Sequence, residues 1–202
     1  MKKLHRPDLY GWSAFAERPN IDFNSLLWVR PDGNVIVDPL ALTPHDRAHL
    51  DALGGARWIV LTNSDHVRGA EALAKELGAK VAGPAAEQGD FPIACDRWLR
   101  DGDELAPGLR VLELQGSKTP GELALILDER TLVTGDLIRS HRANALMLLM
   151  PEQGLSSLEQ AKTSVQRLAA MGPFDAILLG DGFSIYRHGH ELLAELARSL
   201  AA

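Results

Sequence analysis

Two hydrophobic rhythms run along this chain, one with the two-residue period of strands and one with the three-to-four-residue step of helices. Ser25-Leu26-Leu27-Trp28-Val29-Arg30 is rich in strand formers and stops at Pro31-Asp32-Gly33, a turn signal. Asn34-Val35-Ile36-Val37-Asp38 follows and ends at Pro39, so the pair predicts a β-hairpin. Thr43 can then cap a helix opening on Pro44, with Leu50 and Leu53 as its buried side before Gly54-Gly55. Arg57 to Leu61 is an apolar run expected of a strand covered on both faces. After the polar stretch Thr62-Asn63-Ser64-Asp65-His66, apolar residues at Val67, Ala70, Leu73, Ala74 and Leu77 predict a helix that stops at Gly78. Ala79 to Ala82 is another short strand.

From Asp101 onward the rhythm shortens. Pro107-Gly108 and Pro120-Gly121 separate short strands around Val111–Leu114, Leu123–Leu127 and Thr131–Thr134, at the spacing of a meander. Leu155, Leu158, Val165 and Leu168 mark a long helix, Asp175–Leu179 a last buried strand, and Leu192, Leu193, Leu196 and Leu200 a terminal helix. Both halves run strands, helix, strand, which suits two packed sheets with helices outside them, an α/β (α+β) class. The 202 residues are expected to form a single domain, 1–202.

Composition narrows the function classes. A net charge of −6 with scattered Lys and Arg argues against a nucleic-acid surface or a polybasic membrane patch. The most apolar run, Ala145–Met150, is far short of the roughly 20 residues that span a bilayer. Cys95 is the only cysteine, which rules out an internal disulfide and a thiolate zinc cluster and makes the reducing cytoplasm the expected compartment.

Four polar loops directly follow strands, the position where layered α/β folds collect their chemistry. They are Thr62–His66, Gln115–Glu122, Gly135-Asp136 and Gly180-Asp181-Gly182, and each carries a carboxylate, imidazole or ammonium group. Taken alone, Asp65 could be a helix cap, and Asp136 and Asp181 turn residues. Ser64-Asp65-His66 lists the members of a catalytic triad, but consecutive residues cannot assume those roles. Arg139, His141 and Arg142 are expected in a loop after Asp136, where they would attract an anion. His188 and His190 are expected in solvent at the start of the terminal helix.

In order and spacing the four loops resemble the metallo-β-lactamase superfamily over essentially the whole chain. Members carry Thr-His-x-His-x-Asp-His after a strand, then a Pro-Gly-His type loop, a Gly-Asp after the next hairpin and a Gly-His-Gly on the last strand. The resemblance implies a four-layer αββα sandwich with two metals, usually zinc, between the sheet edges. Asp38 matches the acidic residue that the family places near its first strands. Asp65 and His66 match the Asp-His of the first motif, and Asp136 the Asp that bridges both metals. Leu61 and Asn63 stand where histidines would be, Lys118 falls on the histidine of the second loop, and Asp181 replaces the last one. Arg68 stands where a small glycine often follows the Asp-His.

On this reading the first metal keeps only Asp136, while the second keeps Asp65, His66, Asp136 and Asp181. That oxygen-rich set suits Mn²⁺, Fe²⁺ or Mg²⁺ better than a structural Zn²⁺. The residues leave two cofactor alternatives open: one divalent ion (Mn, Fe, Mg or Zn), or none. With an ion, the protein is a hydrolase-like enzyme in which the metal activates water and Asp65 or Asp136 orients it. Without one, Lys118 replaces metal charge, assisted by Arg68 and a protonated His66. The cleft then binds a small, anionic ligand or a partner, or uses Asp65, His66 and Lys118 as a metal-free acid–base set. In either case the catalytic candidates are Asp65, His66, Lys118 and Asp136, and the expected partner is a small molecule.

Overall fold

A computed structural model of the chain describes residues 1–201. Its first sheet has seven strands in sequence order: β1 (Lys2–Lys3), β2 (Leu9–Ala16), β3 (Ile21–Trp28), β4 (Val35–Val37), β5 (Trp58–Val60), β6 (Lys80–Pro84) and β7 (Arg97–Leu99). The first four pair antiparallel, and β4 through β7 pair parallel. Parallel neighbours need crossovers, supplied here by α1 (Pro44–Ala52), by α2 (Ala70–Leu77) and, between β6 and β7, by a segment that opens on the 3-10 turn Ala85–Glu87. Thr43 caps α1 by accepting the Asp46 N–H, and Gly78 closes α2 in the left-handed conformation.

The second sheet has the order β14 (Ala176–Leu179), β11 (Thr131–Thr134), β10 (Leu123–Leu127), β9 (Leu109–Glu113) and β8 (Glu104–Ala106). Its one parallel pair, β11 with β14, is bridged through α3 (Leu158–Met171), and α4 (Gly189–Ser199) follows the last strand. A separate hairpin, β12 (Ile138–Arg142) and β13 (Ala145–Leu148), lies between β11 and α3 in the chain.

Side chains on successive strand residues point to opposite faces, and that alternation builds three cores and four layers. Leu26 and Trp28 face Val111, Leu123, Leu125 and Leu178 between the sheets. Leu27, Ile36, Ile59 and Leu61 point the other way, onto Leu50 of α1 and Leu73 of α2. Ala124, Ile126, Leu132 and Ile177 pack on Val165 and Leu168 of α3 and Leu193 of α4. The result is the αββα sandwich. Among the described residues no helix is long and apolar enough to cross a membrane.

Two expectations need correction, and one strand carries no hydrophobic signal. β2 is absent from the hydrophobic pattern because only Leu9 and Trp12 are buried, three residues apart, so no alternation shows. Arg139, His141 and Arg142 lie in strand β12 rather than a loop; its buried residues are Ile138 and Ser140, and a bulge interrupts its register. His188 is exposed, but His190 is half-buried.

The two sheets are tied together at one edge. The Leu123 N–H donates to the Thr62 carbonyl at 2.7 Å and the Asn24 N–H to the Gly180 carbonyl at 2.9 Å. Those bonds bring the loops after β4, β5, β9, β11 and β14 to one rim.

Candidate functional site

At that rim the chain after β4 places Asp38 in the left-handed region, φ +48°, with its carbonyl accepting the Ser25 hydroxyl at 2.6 Å. The buried Asp38 carboxylate accepts the Thr62 N–H at 2.8 Å and the Thr62 hydroxyl at 2.6 Å. It also lies 2.8 Å from His66 Nδ1. After β5 the Asn63 side chain accepts the Asp65 N–H and opens a short 3-10 turn, Ser64–His66. Asn63, not Asp65, therefore caps that turn, and Asp65 is left free to face the cleft. With Nδ1 held by Asp38, His66 turns Nε2 toward Asp136 Oδ1, 3.4 Å away. Burial lowers the pKa of His66, but Asp38 and Asp136 outweigh it and raise the value to about 10. Both carboxylates favour the protonated ring.

Asp136 is the hub. Its Oδ1 lies 3.1 Å from the Arg139 guanidinium as well as near His66, and its Oδ2 lies 3.6 Å from Lys118 Nζ and 3.3 Å from Asn63 Nδ2. Although burial opposes it, these cations hold the Asp136 carboxyl well below the usual carboxylate range. Arg139 also reaches Asp181 Oδ2 at 2.7 Å. Lys118 Nζ is paired with Asp65, an exposed contact in which the side chains keep 35% and 46% of their surface. Burial pushes Asp181 upward against the opposing pull of Arg139.

Close approach of the loops depends on glycine. A Cβ on Gly135 would sit 2.8 Å from Thr62 Oγ1, and one on Gly180 would sit 2.9 Å from His66 Cε1. Behind Asp136, the fully buried Glu122 carboxylate accepts the Leu137 N–H at 2.9 Å and the Ser117 hydroxyl at 2.5 Å. Burial, and then the charge of Asp136, raise its pKa to about 7.

The sequence-predicted residues Asp65, His66, Lys118, Asp136 and Asp181 all line one cleft of about 460 Å³. Its apolar wall is made by Pro19, Ile21, Phe23 and Leu40. Two members of the cation set change places. Arg68 donates to the carbonyls of Asn24 and Asp38 at 3.3 and 3.1 Å and, among the described residues, meets no carboxylate within 4.0 Å. Arg139 is the side chain that neutralises Asp136 and Asp181. Sequence reasoning also passed over Glu122, whose only signal was a carboxylate between Gly121 and the apolar run Leu123–Leu127.

These donors do not fit a divalent ion as they stand. A metal needs carboxylate and imidazole lone pairs directed at one point. Here Asp136 is turned to three side-chain cations, Asp181 to Arg139 and Asp65 to Lys118. Among the described residues no group of three or more His, Cys, Asp or Glu is arranged to hold an ion.

Comparison with known proteins agrees with the fold. A family model described as metallo-beta-lactamase superfamily matches residues 1–200. The hydroxyacylglutathione hydrolase of Acidiphilium cryptum (strain JF-5) is 28% identical over 157 residues, covering 75% of this chain and 61% of its own. That of Rhodobacter capsulatus is 31% identical over 162 residues, covering 76% and 59%. The chain thus spans about three-fifths of the length of these curated relatives. A metallo-beta-lactamase from Pontibacter korlensis superposes with a TM-score of 0.77 at 16% identity, covering 99% of this chain and 97% of that one. FIM-1 from Pseudomonas aeruginosa, in a mono-zinc form, gives 0.72 at 18% identity, covering 95% and 90%.

Proposed function

This chain belongs to the metallo-β-lactamase superfamily, and on that premise we propose that its cleft works without a bound metal, as a site for a small anionic molecule. The observation that carries the reading is the surrounding of Asp136. Both oxygens of the residue that the resemblance makes the bridging metal ligand face side-chain cations: His66 and Arg139 on one, Lys118 on the other. Positive charge in the cleft is supplied by Lys118, Arg139, Arg68 and the imidazolium of His66. Asp38, Asp65, Asp136 and Asp181 balance it. A divalent ion added to that set would be uncompensated.

The cations have different duties. Arg139 keeps only 11% of its side-chain surface and fixes two buried carboxylates in place. Lys118 is half-exposed, and an exposed ion pair is worth only about 0–1 kcal/mol. An incoming carboxylate or phosphate can therefore take Lys118 from Asp65 at small cost. Arg68, which has no carboxylate partner among the described residues, supplies a second positive contact. Ile21, Phe23 and Leu40 would hold a short apolar group beside them.

Calorimetry at low salt with short hydroxycarboxylates and inorganic phosphate tests this. At least one should bind, unchanged by chelator, and Lys118→Met should weaken it about tenfold or more, the loss expected for a charge-assisted contact. No binding across the panel, or binding that chelator abolishes, would refute it. A second reading, a metal-loaded hydrolase, draws support from the name of the curated relatives. It requires turnover of hydroxyacylglutathione that depends on added Mn²⁺ and disappears in Asp65→Ala.

A further inference from the structure

A second space opens between the two sheets. Trp12, Leu26 and Val37 of the first sheet and Val133, Leu178 and Leu179 of the second line a cavity of about 410 Å³. That size is within the roughly 300–1,000 Å³ of small-molecule sites. Those six largely buried side chains form its floor, and Ser13, Asn24, Ser25 and Ser184 add polar lining. Two carboxylates reach it, and both are already engaged. Asp38 is held by Thr62 and His66, and Asp46 by Thr43 and the amino terminus.

The outer end of this cavity carries the opposite chemistry. Lys2, Leu4 and Tyr186 line both the cavity and an adjoining surface groove of about 970 Å³. The groove adds Lys3, Arg6, Arg187 and three imidazoles, a local excess of positive charge on a chain whose net charge is −6. Its two acidic residues have partners: Asp175 pairs with Arg130, and Glu191 with His188. Arg6 is tied to Asp8 and Asp128. Lys2, Lys3 and Arg187 are exposed and, among the described residues, have no carboxylate within 4.0 Å.

A pocket with an apolar floor and unpaired cations at its mouth is complementary to one kind of ligand. We propose that it is a second binding site, separate from the Lys118–Asp136 cleft, for a single-chain carboxylate amphiphile. The alkyl chain lies between the sheets against Leu26, Val133 and Leu178. The carboxylate rests on Lys2 and Arg187, and Lys3, on the opposite face of β1, adds to the local positive charge. Burial of the chain supplies the affinity, and the basic rim selects the charged head group.

A chain-length series tests it, using protein with an untagged amino terminus. Hexanoate, octanoate, decanoate and dodecanoate are titrated calorimetrically at low salt, with decanol as the uncharged control. Affinity should rise about fourfold per added methylene until the slot is full, as expected for burying a CH₂. Charge reversal at the three exposed rim positions (Lys2→Glu, Lys3→Glu, Arg187→Glu) should weaken decanoate about tenfold while leaving decanol unchanged. Ser13→Trp, at an exposed residue lining the cavity, should shorten the longest chain accepted. Lys118→Met, which removes carboxylate binding in the anion cleft, should leave the gain in affinity per methylene unchanged, which separates the two sites. Absence of binding, affinity independent of chain length, or wild-type decanoate binding by the charge-reversed protein would each overturn the proposal.

Discussion

Replacing Arg139 by Met removes the cation shared by Asp136 and Asp181. Its guanidinium lies 3.1 Å from Asp136 and 2.7 Å from Asp181, whose side chains keep 5% and 1% of their surface. Asp136 retains His66 and Lys118 after the change. Asp181 retains nothing comparable, because among the described residues neither of its oxygens has a hydrogen-bond partner of good geometry. Breaking a buried ion pair from one side typically costs about 3–5 kcal/mol, most of it from the charge left behind. Urea unfolding at pH 8 should show that loss with an unchanged denaturant slope. Burial already raises the pKa of Asp181, and removing Arg139 raises it further. A carboxyl raised in the folded state destabilises as pH climbs through its folded value and ceases to do so below its unfolded value. The deficit of the variant should therefore shrink as pH falls, and Asp181→Asn in the same background should recover most of it. A loss under about 1 kcal/mol, the range of exposed pairs, would refute the claim that Arg139 is a fixed structural charge.

Other outcomes follow from the same geometry. Glu122, raised from its ordinary 4.5 to about 7 by burial and by Asp136, makes wild-type stability fall as pH rises between those values. Glu122→Gln should remove that slope and exceed wild type by up to about 3 kcal/mol above pH 7; parallel stability–pH curves would contradict this. Asn34 donates to the carbonyls of Leu53 and Gly55, both at 2.8 Å, and accepts the Arg30 N–H at 2.8 Å. Asn34→Ala should cost about 1–3 kcal/mol in thermal unfolding, since it leaves three part-buried backbone groups without their side-chain partner, and an unchanged melting temperature would count against it.

The layers of the fold were legible wherever burial was one-sided or complete. The run Leu123–Leu127 alternates between two cores, and the step Ala70, Leu73, Ala74 is the buried face of α2. Among the elements that escaped the pattern, β2 and β12 did so because they bury little surface. Ordered Asp and His residues after strands were enough to bring Asp65, His66, Asp136 and Asp181 to one cleft, because loops at one sheet edge must meet there. Which cation would neutralise which carboxylate was not legible. Arg139 comes three residues after Asp136 in the chain, and nothing in that spacing shows that it reaches Asp181 as well. Arg68, adjacent to the Asp-His motif, is drawn away to the carbonyls of Asn24 and Asp38.

Metal content decides the central claim most directly. Protein purified without chelator should carry far less than one ion per chain by elemental analysis, and titration with Mn²⁺, Fe²⁺ or Zn²⁺ should give no saturable heat. About one tightly held ion per chain, lost in Asp136→Asn, would contradict the account, because Lys118 and Arg139 could not then stand where they do.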